Sequence, residues 1–299
     1  MSRYLMINAD DLGSFQCANA AVMELLKNPE SPLTSSTVMP TCAWAPQAIR
    51  FAAQNPELAI GVHLTFTSEW SNTRWAPVSQ GDTSSLRDEE GFMWHRCADF
   101  ENHADMEQVV REIQAQIARC KALGMTNPSH IDNHMGTLYG VATGRWELLK
   151  ATLGVVAEHR LPFRLPKSIA TVDFNNTTLG ISTGAEPTIA AAGLAVEFCE
   201  KNGIALPDHL IPNQWGGPQE QSYEAFREYL YDLYATIPEG VTETYLHPAL
   251  ECEELKNATG AWYRRVWEHR VMSDPKTKQH IEAHGIKLIN YRQLAEMRK

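Results

Sequence analysis

Two adjacent carboxylates, Asp10 and Asp11, stand directly behind the short apolar run Tyr4-Leu5-Met6-Ile7, within Asn8-Ala9-Asp10-Asp11-Leu12-Gly13. The order is strand, acids, turn. In an α/β fold, residues just past the C-terminal end of a parallel strand face the crevice where ligands bind. A carboxylate pair there can divide its labour, one group holding a cation and the other accepting a proton from water. The same residues also read as an exposed turn, with Asp11 capping a helix that starts near Ser14.

The histidines supply context. Of eleven, His103, His159, His269, His280 and His284 lie in polar helical surroundings that fit solvated surface. Three places differ. His63 is near the end of the β-type run Leu58-Ala59-Ile60-Gly61-Val62-His63-Leu64-Thr65-Phe66. His130 and His134 frame Ser129-His130-Ile131-Asp132-Asn133-His134-Met135-Gly136. His247 closes the β-rich run Val241-Thr242-Glu243-Thr244-Tyr245-Leu246, with Pro248 behind it. A lone strand histidine is usually a satisfied core residue. Four strand ends opening onto one face of a parallel barrel instead let distant side chains converge on one ion. Imidazole and carboxylate suit zinc, and three protein ligands leave a position for water. Asp10 could then take a proton from that water, and His247 could give one to a departing group.

Helical and β-type patterns alternate along the chain, which implies parallel strands joined by helices. After the first strand, residues 18–27 read as helix, 34–40 as strand and 46–54 as helix. A clear amphipathic helix begins after Asp105, an N-cap with Gln108 at the capping-box position; Val109, Val110, Ile113, Ile117 and Cys120 share one face. Helix 145–159, strand 162–166, helix 187–202, a turn through Pro207-Asp208-His209, helix 222–236 and strand 241–247 follow. Helices near 260–270 and 275–284, strand 286–290 and a short terminal helix complete the chain. The expected fold is α/β: a TIM-barrel-like (β/α) barrel, distorted or with seven strands, forming a single domain over 1–299. Two stretches interrupt the alternation. Residues 67–104 form a long loop carrying Trp70, Trp75, Phe92, Trp94 and His95; its flat rings suit pyranose faces, or else build a satellite core. Residues 168–186, rich in Asn, Thr and Gly, read as a mobile rim, to which Asp208, His209 and Trp215 could contribute.

Taken in order, Asn8-Ala9-Asp10-Asp11-Leu12-Gly13, Gly61-Val62-His63-Leu64, His130-Ile131-Asp132-Asn133-His134, Arg164-Leu165-Pro166 and Leu246-His247-Pro248 resemble the signatures of the YdjC-like carbohydrate deacetylases. That group includes chitooligosaccharide and hopanoid-precursor deacetylases. The resemblance spans residue 4 to about residue 291. It implies a (β/α) barrel that removes N-acetyl groups from amino sugars with a divalent metal, zinc or magnesium. Carried over by position, Asp11, His63 and His134 match the metal ligands, Asp10 the general base and His247 the leaving-group acid. Arg164 resembles an arginine that keeps the catalytic aspartate ionised. His130 is expected to orient a ligand or contact substrate, alongside Trp70, Trp75 and Trp94 as sugar contacts. The chain departs from many relatives at Leu12, at Gly136, where several carry a further histidine, and at Lys167 and Ala249.

The formal charge of -10, with no basic cluster, argues against nucleic-acid binding. Six cysteines form no Cys-x-x-Cys pair, so free thiols are expected rather than disulfides or a structural zinc. The first strand begins almost at the N-terminus, and no apolar run approaches membrane-spanning length; a cytoplasmic enzyme with a small carbohydrate substrate and no membrane partner is expected. A homodimer is left open. Two rival functions remain: a non-catalytic carbohydrate-binding barrel, and a metal-independent glycoside hydrolase using Asp10 or Glu243.

Overall fold

The computed structural model describes residues 2–168 and 186–299, so all but the end residues of the expected rim 168–186 lie outside the described residues. Seven strands form one all-parallel sheet: β1 (Arg3–Leu12), β2 (Ser35–Val38), β3 (Ile60–Leu64), β4 (Ile131–Asn133), β5 (His209–Leu210), β6 (Gly240–Leu246) and β7 (Ile286–Leu288). Between and after them run α1 (Gln16–Lys27), α2 (Ala45–Gln54), α3 (Cys97–His103), α4 (Met106–Ala122), α5 (Glu147–His159), α6 (Glu186–Lys201), α7 (Tyr223–Ala235), α8 (Glu253–Ala258), α9 (Trp262–Ser273), α10 (Pro275–Ala283) and α11 (Tyr291–Met297). The architecture is a distorted (β/α) barrel. No helix among the described residues is long and apolar enough to cross a membrane.

The strand order is β4-β3-β2-β1-β6-β5, with β7 also on β1. Residues 5–12 of β1 are buried throughout, as expected for a parallel strand covered on both faces. β1 pairs with β6 over Arg3–Ala9. It pairs with β7 at Arg3–Leu5 and with β2 from Asn8 onward, so β7 takes the lower part of the edge that β2 uses higher up. Between β4 and β5 there is no regular ladder among the described residues. The expected strand 162–166 is instead an irregular seam that bonds to both sides. Ile131 N donates to Pro162 O and Arg164 N to Ile131 O on one side; Phe163 N donates to Ala205 O, Lys167 N to Pro207 O and Ser168 N to Asp208 O on the other.

The helix after Asp105 forms with the expected cap: the Asp105 side chain accepts from the backbone N–H of Glu107 and Gln108. Val109, Ile113, Ile117 and Cys120 are buried, while Val110 is half-buried. The capping box is not completed. The Gln108 amide accepts from Ser85 and donates to Asp82, tying the long loop to α4. Glu112 and Gln116 are buried on the same helix for a related reason: Glu112 accepts from Val78 N and Ser79 N, and Gln116 bonds both backbone groups of Thr65. The loop 67–104 thus has its own internal order, including α3 and a small core of Met39, Cys42, Trp75 and Met93. The six cysteines are free thiols.

Two glycines with opposite surroundings test the packing. A Cβ on Gly61 of β3 would fall 2.6 Å from His130 Nδ1 and from the His130 carbonyl oxygen, whereas one on Gly154 of α5 would meet nothing within 4 Å. Gly61→Ala is therefore expected to lower unfolding stability by about 1–3 kcal/mol, and Gly154→Ala to raise it by about 0.5–1 kcal/mol. Denaturant titration of the two variants reads both signs.

Candidate metal centre

Adjacent residues in a regular strand point to opposite faces, so Asp10 and Asp11 can share a cavity only if the strand is broken. It is. Between the pairs Ala9–Ser36 and Leu12–Val38, two residues of β1, Asp10 and Asp11, stand against one of β2, Thr37, and Asp11 has a left-handed φ of 62°. Met135, beside His134, is held at φ 54°. Both strained residues line one cavity of about 290 Å³ at the C-terminal ends of the strands. Strain of this kind costs about 1–3 kcal/mol per residue and collects at functional sites. Asp11 caps no helix by its side chain: α1 begins after Phe15, and Ser14 bonds the Asp11 carbonyl.

Asp11, His63 and His134 each place a donor atom within 4.8 Å of the others. Asp11 Oδ1 faces His63 Nε2 at 3.5 Å and His134 Nδ1 at 3.2 Å. Although buried, this oxygen has no hydrogen-bond partner among the described residues. The far side of each ring is anchored by a carboxylate: His63 Nδ1 lies 2.6 Å from Asp132 Oδ1, and His134 Nε2 lies 2.9 Å from Glu69 Oε2. Such partners fix the ring and turn the other nitrogen toward a cation. Burial opposes charge on these rings, yet Asp132 and Asp11 lift His63 to about 10, and Glu69 and Asp11 lift His134 to about 9. The surroundings thus favour positive charge at the point where the donors meet, and an orphaned oxygen with two oriented imidazoles fits a divalent cation.

Asp10 sits beside this cluster and is held at both oxygens by Arg164, Nη1 to Oδ2 and Nη2 to Oδ1, each at 2.7 Å. Asn8 donates to Asp10 Oδ1 at 2.7 Å. Arg164 also reaches Asp132 at 3.0 Å and Glu243 at 2.8 Å, and it lies over the Tyr245 ring. Burial pushes the Glu243 carboxyl up to about 7 against the pull of Arg164. Tyr291 donates to the other Glu243 oxygen at 2.5 Å. His247, just past β6, lines the cavity; its backbone N–H donates to Glu268, and its buried Nδ1 has no partner among the described residues.

The structure therefore brings together Asp10, Asp11, His63, His134, Arg164, His247 and Trp70 around one cavity. It places three expected substrate contacts elsewhere. His130 precedes His134 by four residues on the same face, about 13 Å down the strand; its buried ring is stacked on Tyr291 at 3.6 Å, and burial pushes it down to about 3. Trp75 is buried behind His134, with its indole donating to Thr67 O. Trp94 stacks on His103 and donates to Ser85 O. Asp208 and His209 lie at the opposite end of β6, whereas Trp215 does line the cavity. Glu69, Asp132 and Arg265 were not marked by the sequence, and Glu243 was marked only as a glycosidase carboxylate. The signal for two of them was alternation: Glu243 precedes His247 by four residues on the inward face, and Asp132 lies midway between His130 and His134.

Comparison with known proteins gives this constellation a family. A model described as YdjC-like protein matches residues 4–283. The chain belongs to the YdjC-like family. A carbohydrate deacetylase of Enterococcus faecalis is 29% identical, covering 98% of this chain and 99% of its own. One from Thermus thermophilus is 32% identical over 93% of this chain and 89% of its own. A crystal structure of a putative cellobiose-phosphate cleavage protein from Enterococcus faecalis superposes with a TM-score of 0.75 at 29% identity, covering 98% of this chain and 99% of that one. The YdjC-like match thus takes in every residue of the cluster.

Asp11→Ala, His63→Ala and His134→Ala are each expected to lower zinc bound at equilibrium dialysis. Full stoichiometry in all three would place the ion elsewhere. Arg164→Met strands three buried carboxylates and should destabilise by about 3–5 kcal/mol. The deficit should depend on pH. Glu243 already titrates above its ordinary range, so the stability it contributes is full below about 4.5 and is lost as pH rises through about 7. Without the arginine this loss deepens, and thermal melts should separate variant from wild type more at pH 8 than at pH 5.

Proposed function

We propose that the protein is a metal-dependent carbohydrate N-deacetylase that hydrolyses the acetamide of N-acetylglucosamine-containing sugars and leaves glycosidic bonds intact. The observation that carries this reading is the convergence of Asp11 Oδ1, His63 Nε2 and His134 Nδ1 in a cavity that Asp10 and His247 also line. The chain's full-length relatives named carbohydrate deacetylase support it. Two imidazoles and one carboxylate suit zinc better than magnesium, which prefers oxygen ligands. When bound there, the cation supplies Lewis acidity, polarising a carbonyl oxygen and easing deprotonation of water near neutral pH.

Asp10 accepts the proton from the attacking water. Arg164 fixes both Asp10 oxygens and balances their charge, so the carboxylate meets the water in one orientation. His247 gives a proton to the departing amine. Burial lowers its ring below the ordinary histidine value, with Asp11 pulling the other way; the ring is neutral at rest, first takes up the proton that Asp10 removed from water, and as an imidazolium surrenders it readily to the amine. Trp70 and Trp215 on the cavity wall offer apolar faces to a pyranose, and the volume suits roughly one or two sugar rings. The six free thiols suit a reducing cytoplasm. A glycosidase built on Asp10 and Glu243 is disfavoured, because Glu243 is fully buried against Arg164 and Tyr291 and does not line the cavity.

Mass spectrometry of N-acetylglucosamine oligosaccharides after incubation is expected to show loss of acetyl groups at constant chain length. Shortened sugars with acetyl groups intact would overturn the reading. Asp10→Asn should keep metal while kcat falls by about 10²-fold or more, and His247→Ala should slow turnover without emptying the metal site. Normal kcat in Asp10→Asn would make Asp10 structural.

A further inference from the structure

The two oxygens of Asp11 have different neighbours. Oδ1 faces the two histidines and is otherwise unpartnered, whereas Oδ2 accepts from Arg265 Nη1 at 3.0 Å. Arg265 comes from α9, far along the chain, and is itself buried on the cavity wall. Its guanidinium stands over the Trp70 ring at 5.3 Å. Its backbone carbonyl accepts from Ala249 N, two residues past His247, so the helix turn that carries the arginine is tied to the strand end that carries the proposed acid. The Arg265 Nε is buried with no partner among the described residues.

A carboxylate with both oxygens free can clasp a cation with two atoms; one whose second oxygen is held by a guanidinium gives a single atom. We propose that Arg265 is a positioning residue that restricts Asp11 to one-oxygen ligation, keeping the protein's donation at three atoms and room at the cation for reactants. This rests on the metal-dependent reading above. The arginine also places positive charge beside the cation site. Its removal should therefore not weaken metal binding, in contrast to loss of a ligand. That sign separates restraint of Asp11 from simple support of it.

The test loads the full-length protein with cobalt(II), whose visible absorption reports the number and arrangement of ligands. Arg265→Met is expected to bind cobalt at least as tightly as wild type, to show weaker and shifted absorption as Asp11 gains a second bond, and to lose about 10-fold or more in kcat with a smaller change in KM. Arg265→Lys, which keeps a charged donor, should restore most of the wild-type spectrum. A wild-type spectrum in Arg265→Met, or loss of cobalt from it, would overturn the proposal. A zinc-loaded structure of the wild-type protein reads the same feature with no substitution: both Asp11 oxygens on the ion would also overturn it. Failure of the wild type to bind either metal would instead overturn the reading on which the proposal rests, and the proposal with it.

Discussion

Three buried carboxylates, Asp10, Asp132 and Glu243, share the guanidinium of Arg164, and the polar interior of the barrel is organised by that sharing. Burying four charges in one place is costly unless each is paired and hydrogen-bonded. Here the pairing is close to complete: Arg164 gives both terminal nitrogens to Asp10, reaches Asp132 from one of them and gives Nε to Glu243, while Asn8 and Thr37 add second bonds to Asp10 Oδ1 and Asp132 Oδ2 and Tyr291 takes the other Glu243 oxygen. The network then passes outward from Asp132 to His63 and so to Asp11. The proposed cation site and the adjacent proposed base are thus two ends of one chain of ion pairs and hydrogen bonds. Displacing its central member disturbs both.

The barrel stacks this assembly in tiers along the strands. Along β4 the inward positions hold His130 just before the strand, Asp132 within it and His134 just beyond it, one above another. On β6 they hold Glu243, Tyr245 and, just past the strand, His247. The lowest tier is packing: His130 lies on Tyr291 and fills the space that Gly61 leaves by lacking a side chain. The middle tier is the carboxylate network around Arg164. The upper tier opens to the cavity, which reaches down to Asp10, Arg164 and Tyr245, while Asp132 and Glu243 lie beneath it. A polar residue's role therefore follows from its height as much as from its type.

This tiering explains what was legible in the sequence. The strand ends carrying Asp10, Asp11, His63 and His247 could be read because each closes a β-type run, and His134 because it repeats the histidine of a short strand segment; termination of a strand is a local signal. The assignment of His130 to substrate failed because its type matches His134, while its depth depends on where β4 begins, and β4 is only a three-residue strand. Trp75 and Trp94 were marked as flat rings in a long loop; whether such rings face a sugar or a core is decided by tertiary contacts that composition does not encode. Arg265 was illegible for a different reason. It sits in an ordinary-looking helix 254 positions from the carboxylate it holds, and no local pattern records that distance. The repeating αβ order was readable and the irregular seam at 162–168 was not, since a run of β-type residues looks the same whether it completes a ladder or merely bridges one.

That seam has a consequence for how the molecule fails. Arg164 is carried by the only stretch that joins β4 to the β5 side among the described residues, and it is bonded through its own backbone N–H to Ile131. A thermal fluctuation that parts the seam withdraws the guanidinium from Asp10 in the same movement. Loosening at this edge is thus an off state well before the remaining strands separate, and heat inactivation should run ahead of loss of secondary structure. The working lifetime of the protein then depends on the join of its wall at Arg164 as well as on the cohesion of its core.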